Sequence, residues 1–163
     1  MRRQRRQAEG NMALLVLVDS SQAFTHYSIV EETVLVALEH FGIPYRILDL
    51  AKRRLTKEEI GSAAALIIAQ EHLGESLSTA ETQTIADALA AGQGLVNFDG
   101  DLRLYKPPLL AIFGLVVDRL PFASDLLRIN SDSHYITWTQ EEGALKRLRR
   151  PITFYQVTDS RGE

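Results

Sequence analysis

Carboxylates and histidines gather wherever this chain leaves an apolar run. GLVNFDGDLRLY (94–105) closes a short apolar run with Asp99, Gly100 and Asp101. VLVDSSQAFTHY (16–27) ends its run at Asp19, Ser20 and Ser21, with His26 and Tyr27 close behind. AALIIAQEH (64–72) ends in Gln70, Glu71 and His72. A partly buried carboxylate or imidazole at such a place can act as general acid, general base or nucleophile. Asp99 stands where many α/β enzymes carry a cysteine or serine nucleophile. An aspartate there needs an activated electrophile, such as a phosphate or a glycosidic carbon. The same residues also have a structural use, because Asp and Ser bond neighbouring backbone amides readily in turns. Both readings stay open at this level.

Other chemistries can be set aside or weakened. The chain has no cysteine, which removes disulfides, thiolate metal sites and cysteine nucleophiles together. It leaves the compartment undecided. His26, His72, Asp99 and Asp101 could supply hard ligands, but no HxH or HExxH spacing supports them, so we expect no metal site and no cofactor. The first apolar run leads into DSSQAFTHYS rather than GxGxxG or a GK[ST] phosphate loop. A net charge of −3 argues against a general nucleic-acid binder.

The positioning elements follow from periodicity. ALLVLVD (13–19), YRILDL (45–50), AALIIAQ (64–70) and GLVNFDG (94–100) are strand-length apolar runs, the kind that parallel sheets bury on both faces. Between them, IVEETVLVALEHFG (29–42) places Val30, Val34, Ala37, Leu38 and Phe41 on one helical stripe and stops at Gly42. TKEE (56–59) has capping-box spacing, with Thr56 as cap and Glu59 reaching back. STAETQTIADALAAGQG (78–94) repeats that spacing with Ser78 and Glu81. Strands alternating with helices predict an α/β domain. We expect a flavodoxin-like three-layer sandwich with a mainly parallel sheet and helices on both faces. In such a sheet, ligands bind outside the carboxyl ends of the strands, which is where the polar runs lie.

Further along, PPLLAIFGL (107–115) reads as a helix with prolines in its first turn. LLRINS, HYITW and ITFYQVT read as short strands, with QEEGALKRLRR as a charged turn-and-helix piece before the last of them. The expected organisation is a flexible basic arm at 1–12, a single domain at 13–158 and a tail at 159–163. No apolar run approaches the ~20 residues of a membrane span. The basic start with ALLVLV lacks a cleavage site and is read as an arm and a strand rather than a signal peptide.

The order VLVDSS, FGIPYRILDL, AALIIAQ, ADALAAGQGLVNFDG resembles the class I glutamine amidotransferase-like superfamily. Its nearest branches are the ThuA-like domains and those of carbohydrate-active proteins. The resemblance covers about residues 13–157. SHYIT (133–137) resembles a later His-Pro-Ile-Thr-like segment, with Tyr135 in place of the proline. In active members the corner reads G-x-C-x-G. The matching positions here hold Asn97, Asp99 and Asp101, so the resemblance implies the architecture without glutamine hydrolysis.

Three functions follow from this. The first is a non-catalytic amidotransferase-like domain, a small-ligand-binding or accessory module of a larger protein. Its ligand-binding candidates are Asp19, Ser20, Ser21, His26, Tyr27, Gln70, Asp99, Gly100 and Asp101. The second is a hydrolase using Asp99 or Glu71 with His26, His72 or His134 in support. The third is a structural or oligomerisation domain. Expected partners are a homodimer mate, other domains of a longer native chain or a small polar ligand, and not nucleic acid. We expect a cytoplasmic protein, or an extracytoplasmic one if the chain is a domain of an exported protein.

Overall fold

The structure is a computed structural model that describes residues 13–113, 115–117, 122–130, 139–154 and 157–160. The basic arm, His134, HYITW and the last three residues lie outside the described residues. The chain divides into two units. One runs to Val116 and resumes at Asp159; the other is Val117–Thr158.

The first unit is built on four parallel strands, β1 (Leu14–Val18), β2 (Tyr45–Asp49), β3 (Ala65–Ile68) and β4 (Gly94–Asn97), in the order β2-β1-β3-β4. Strand β1 shows why the sheet takes a helical layer on each face. Its side chains alternate, as the period of two requires. Leu15 and Leu17 join Leu48, Leu66 and Ile68 in a core closed by Ile60, Leu73, Ile85 and Leu109. Val16 and Val18 point the other way, into a cluster with Ile67, Val30, Leu35 and Leu38. The first core is covered by α3 (Lys57–Gly61), α4 (Leu73–Ser76), α5 (Thr79–Ala90) and α6 (Pro107–Ile112). The second is covered by α1 (Phe24–Glu32) and α2 (Val34–His40). The flanking strand β4 is less deeply buried, and its Val96 is 47% exposed.

Local signals set most boundaries. Helix α5 opens on the reciprocal Ser78–Glu81 capping box. Gly42 (φ 66°) and Gly92 (φ 98°) end their helices in the left-handed region. Ile43 donates to the Leu38 carbonyl at 2.9 Å and Gln93 to that of Ala88 at 3.0 Å, the closing bonds of a Schellman turn.

Three expectations change. The 29–42 helix begins earlier, at Phe24, and breaks at Thr33, whose hydroxyl donates to the Ile29 carbonyl at 2.5 Å. Such back-bonding bends helices. The buried stripe is therefore Val30, Leu35 and Leu38, while Phe41 is 74% exposed. At α3, Thr56 accepts from the Glu59 amide, but the Glu59 carboxylate turns away to Arg46 and Arg53. The piece 140–150 is not helical. Gly143 (φ 83°) makes a turn, and Leu145 opens β7 (Leu145–Phe154), which pairs antiparallel with β6 (Phe122–Arg128) in the second unit. Ladder hydrogen bonds and the Arg147–Asp125 ion pair satisfy this basic run as a strand. The remaining strands are β5 (Leu115–Val117) and β8 (Val157–Ser160). No helix among the described residues is long and apolar enough to cross a membrane.

Candidate functional site

The chain leaves β1 for β2 on one side and reaches β3 on the other, so the strand order reverses between β1 and β3. Crevices at such reversals are where open α/β sheets bind ligands. Here a buried amide joins the two strand ends. Gln70 accepts from the Asp19 backbone N–H and donates to the Asp19 carbonyl, both at 3.0 Å. Its Nε2 also donates to Gln22 Oε1 at 2.8 Å, and Gln22 donates onward to the His72 carbonyl and Ser76 Oγ. The loops after β1 and β3 are thereby tied together.

Asp19 is buried and turned inward, accepting from the Ser21 amide at 2.8 Å and the Ser21 hydroxyl at 2.5 Å. Burial would raise its carboxyl, but the bonds from Ser21 and Ser76 more than offset this and hold it below the usual carboxylate range. Ser20 turns to Asp49 instead, donating from its amide at 3.0 Å and its hydroxyl at 2.6 Å. Burial of Asp49 is likewise outweighed, by Lys52, Ser20 and Ala51, and its carboxyl falls to about 2.

Asp99 is 3% exposed. Its Oδ1 accepts from the His72 amide at 3.1 Å and the Asp101 amide at 3.0 Å, and its Oδ2 from the Gly74 amide at 3.1 Å. The carboxylate thus caps the first turn of α4, where a negative charge also meets the positive end of the helix dipole. Lys106 complements the other end, donating to the carbonyls of Gly74 and Glu75 at 2.8 and 3.3 Å. Asn97 holds the corner's backbone through the Asp99 amide and carbonyl, and Tyr105 donates to Asn97 Oδ1 at 3.1 Å. Burial, then the neighbouring Asp99 charge, raise the Tyr105 hydroxyl far above its ordinary value, so it remains a donor. Gly74 sits in tight space, since a Cβ there would lie 3.0 Å from the Tyr105 ring and 3.2 Å from the Leu104 backbone.

The left-handed corner of the unit lies elsewhere. His72, between β3 and α4, has φ 64°, the one non-glycine positive φ among the described residues. Its ring meets that of His26 edge to face, with centroids 5.1 Å apart. One potential ligand atom from each of His26, Glu71 and His72 lies within 4.8 Å of the others. Beside them opens a cleft of about 390 Å³ whose lining includes His26, Ile29, Thr33, Ala37, Glu71 and Phe98.

The sequence-derived candidates therefore separate. His26, Glu71 and His72 come together at the cleft. Asp19, Ser20, Ser21, Gln70 and Asp99 make the strand-end scaffold. Tyr27 packs against the second core, Gly100 is exposed and Asp101 pairs with Arg103 at 2.8 Å. Sequence reasoning missed Gln22, Ser76, Lys106 and the apolar walls Ile29, Ala37 and Phe98. No local spacing marks them, because each acts on residues distant in the chain.

Comparison with known proteins adds the fold. No family model matches the chain, and no curated protein matches it. A solved crystal structure from Bacteroides uniformis, described as a ThuA-like protein, superposes with a TM-score of 0.59 at 16% identity. The match covers 94% of this chain and 64% of that one. The fold is ThuA-like. At this identity the likeness establishes the fold alone, and the chain spans less than two thirds of its neighbour.

Proposed function

We propose that this chain is a non-catalytic, amidotransferase-like domain of flavodoxin-like architecture that binds a small polar ligand in the cleft beside His72. One observation carries the reading. Asp99, at the position the resemblance gives to the nucleophile, commits both oxygens to three backbone amides in a buried setting. A buried carboxylate so engaged serves as an acceptor for the corner's backbone, and the chain has no cysteine to stand in as a nucleophile. The cleft beside it offers an apolar wall from Ile29, Ala37 and Phe98 and polar groups from Thr33, Glu71 and His26. This is the usual make-up of a small-molecule site. The domain serves as an accessory module, as a homodimer or within a longer chain, and Phe98, Ile29 and Val36 (each more than half exposed) provide apolar surface for such contacts.

The test is a screen of small polyols, carboxylates and amides by NMR amide shifts, run on the native chain and on Ala37→Phe. Binders should shift Thr33, Glu71, His72 and Phe98 and should be lost when Phe fills the cleft. Binders that map away from these residues would overturn the reading. The hydrolase alternative draws on one observation, the convergence of His26, Glu71 and His72, and it leaves Asp99 out of the reaction.

A further inference from the structure

We infer that His26, Glu71 and His72 form a site for a divalent transition metal at the mouth of the strand-end cleft. The three ligands come from two segments, the start of α1 and the corner between β3 and α4. Their ligand atoms already lie within 4.8 Å of one another. Metal bonds of about 2.0–2.1 Å place tetrahedral donors about 3.4 Å apart, so side-chain rotation closes the set. Glu71 is exposed and free to swing, while the backbone can stay where it is.

Two further observations point the same way. His26 Nδ1 is buried and, among the described residues, has no hydrogen-bond partner. Buried polar atoms ordinarily have one, and an imidazole nitrogen without one is a ligand in waiting. His72 holds a backbone conformation that costs energy, and such strain concentrates at binding sites. That conformation is fastened on both sides, the amide to Asp99 at 3.1 Å and the carbonyl to Gln22 at 2.9 Å. The corner is thus preorganised by residues that take no part in ligation.

The ligand types select the metal class. Two imidazoles and a carboxylate suit Zn²⁺, Fe²⁺, Co²⁺ or Ni²⁺. They do not suit Ca²⁺, which wants six to eight oxygens, or Mg²⁺, which keeps most of its water. Three protein ligands leave at least one position open. His26 and Glu71 both line the cleft, so that position faces it and would take an oxygen donor such as a hydroxyl, carboxylate or carbonyl. Its test reads metal binding alone, so it stands or falls separately from the organic ligand proposed above.

The test uses the tag-free full chain, stripped with chelator. Zn²⁺ binding is followed by calorimetry and Co²⁺ binding by its visible absorption. We expect one ion per chain and a Co²⁺ spectrum of a nitrogen–oxygen site. His26→Ala, Glu71→Gln and His72→Asn should each weaken Zn²⁺ by at least about 10–100-fold. Asn is chosen at 72 because it tolerates the left-handed region. His40→Ala, on an exposed histidine outside the cluster, should leave the affinity unchanged. Circular dichroism on each variant separates lost ligation from lost folding, and Glu71→Gln, on an exposed side chain, carries the decision if a histidine variant misfolds. Binding of less than one ion per chain, or binding that survives all three substitutions, would overturn the proposal.

Discussion

The corners after β3 and β4 are neighbours, joined by the bond from the His72 amide to Asp99. Both carry groups capable of acid–base chemistry. Asp99 is buried beneath amides that claim both its oxygens. At the β3 corner, Glu71 is exposed, His72 is half-buried and the nearby His26 Nδ1 has no partner among the described residues. Residue type alone ranks Asp99 first, and its burial with three amide bonds already made reverses the order. What separates a scaffold from a site here is whether a polar atom's bonds are already made, not which atom it is.

Substitutions should break the comparison in opposite directions. Asp99→Ala leaves three backbone amides without their acceptor, that of Gly74 buried and those of His72 and Asp101 part-buried, and a buried loss costs about 1–3 kcal/mol. We expect about 3 kcal/mol of destabilisation, read as a lower midpoint in urea at unchanged slope. Gly74→Ala tests the same corner from the packing side. Its Cβ would meet the Tyr105 ring at 3.0 Å and the Leu104 backbone at 3.2 Å, so these neighbours must give by a few tenths of an ångström. A loss of about 2 kcal/mol is expected by the same measurement.

The corner after β2 supplies a pH readout. The Asp49 carboxyl lies at about 2 in the folded chain, below its unfolded value. A depressed carboxyl stabilises above the unfolded pKa and loses that contribution as pH falls through the folded one. Stability should therefore decline from about pH 5 towards pH 2, by about 1–2 kcal/mol from this group after allowing for its exposed Lys52 partner. Asp49→Asn should flatten that part of the urea-midpoint profile. The smallest effect has the opposite sign. His72→Gly relieves the left-handed strain and should raise stability by up to about 1 kcal/mol while removing a metal ligand.

Much of this frame was legible in the residues. The four strand runs fall within the expected segments, and Ser78, Glu81, Gly42 and Gly92 act where their types predict, because capping is local. What was not legible is non-local. Asp99 caps a helix that starts 26 residues before it, and no spacing rule connects 26 with 71 and 72. The strand identity of residues 145–150 depends on pairing with β6, which outweighs their charge pattern. The break at Thr33, where the hydroxyl bonds back to the Ile29 carbonyl, leaves no mark in the apolar periodicity.

The most direct measurement is a Zn²⁺ titration of Asp99→Asn alongside its urea unfolding. We expect a lower unfolding midpoint, with Zn²⁺ affinity reduced far less than by His26→Ala, Glu71→Gln or His72→Asn, because Asn keeps an oxygen that can accept from the His72 amide. Native stability with Zn²⁺ binding abolished would contradict the division between the two corners and return Asp99 to the working site.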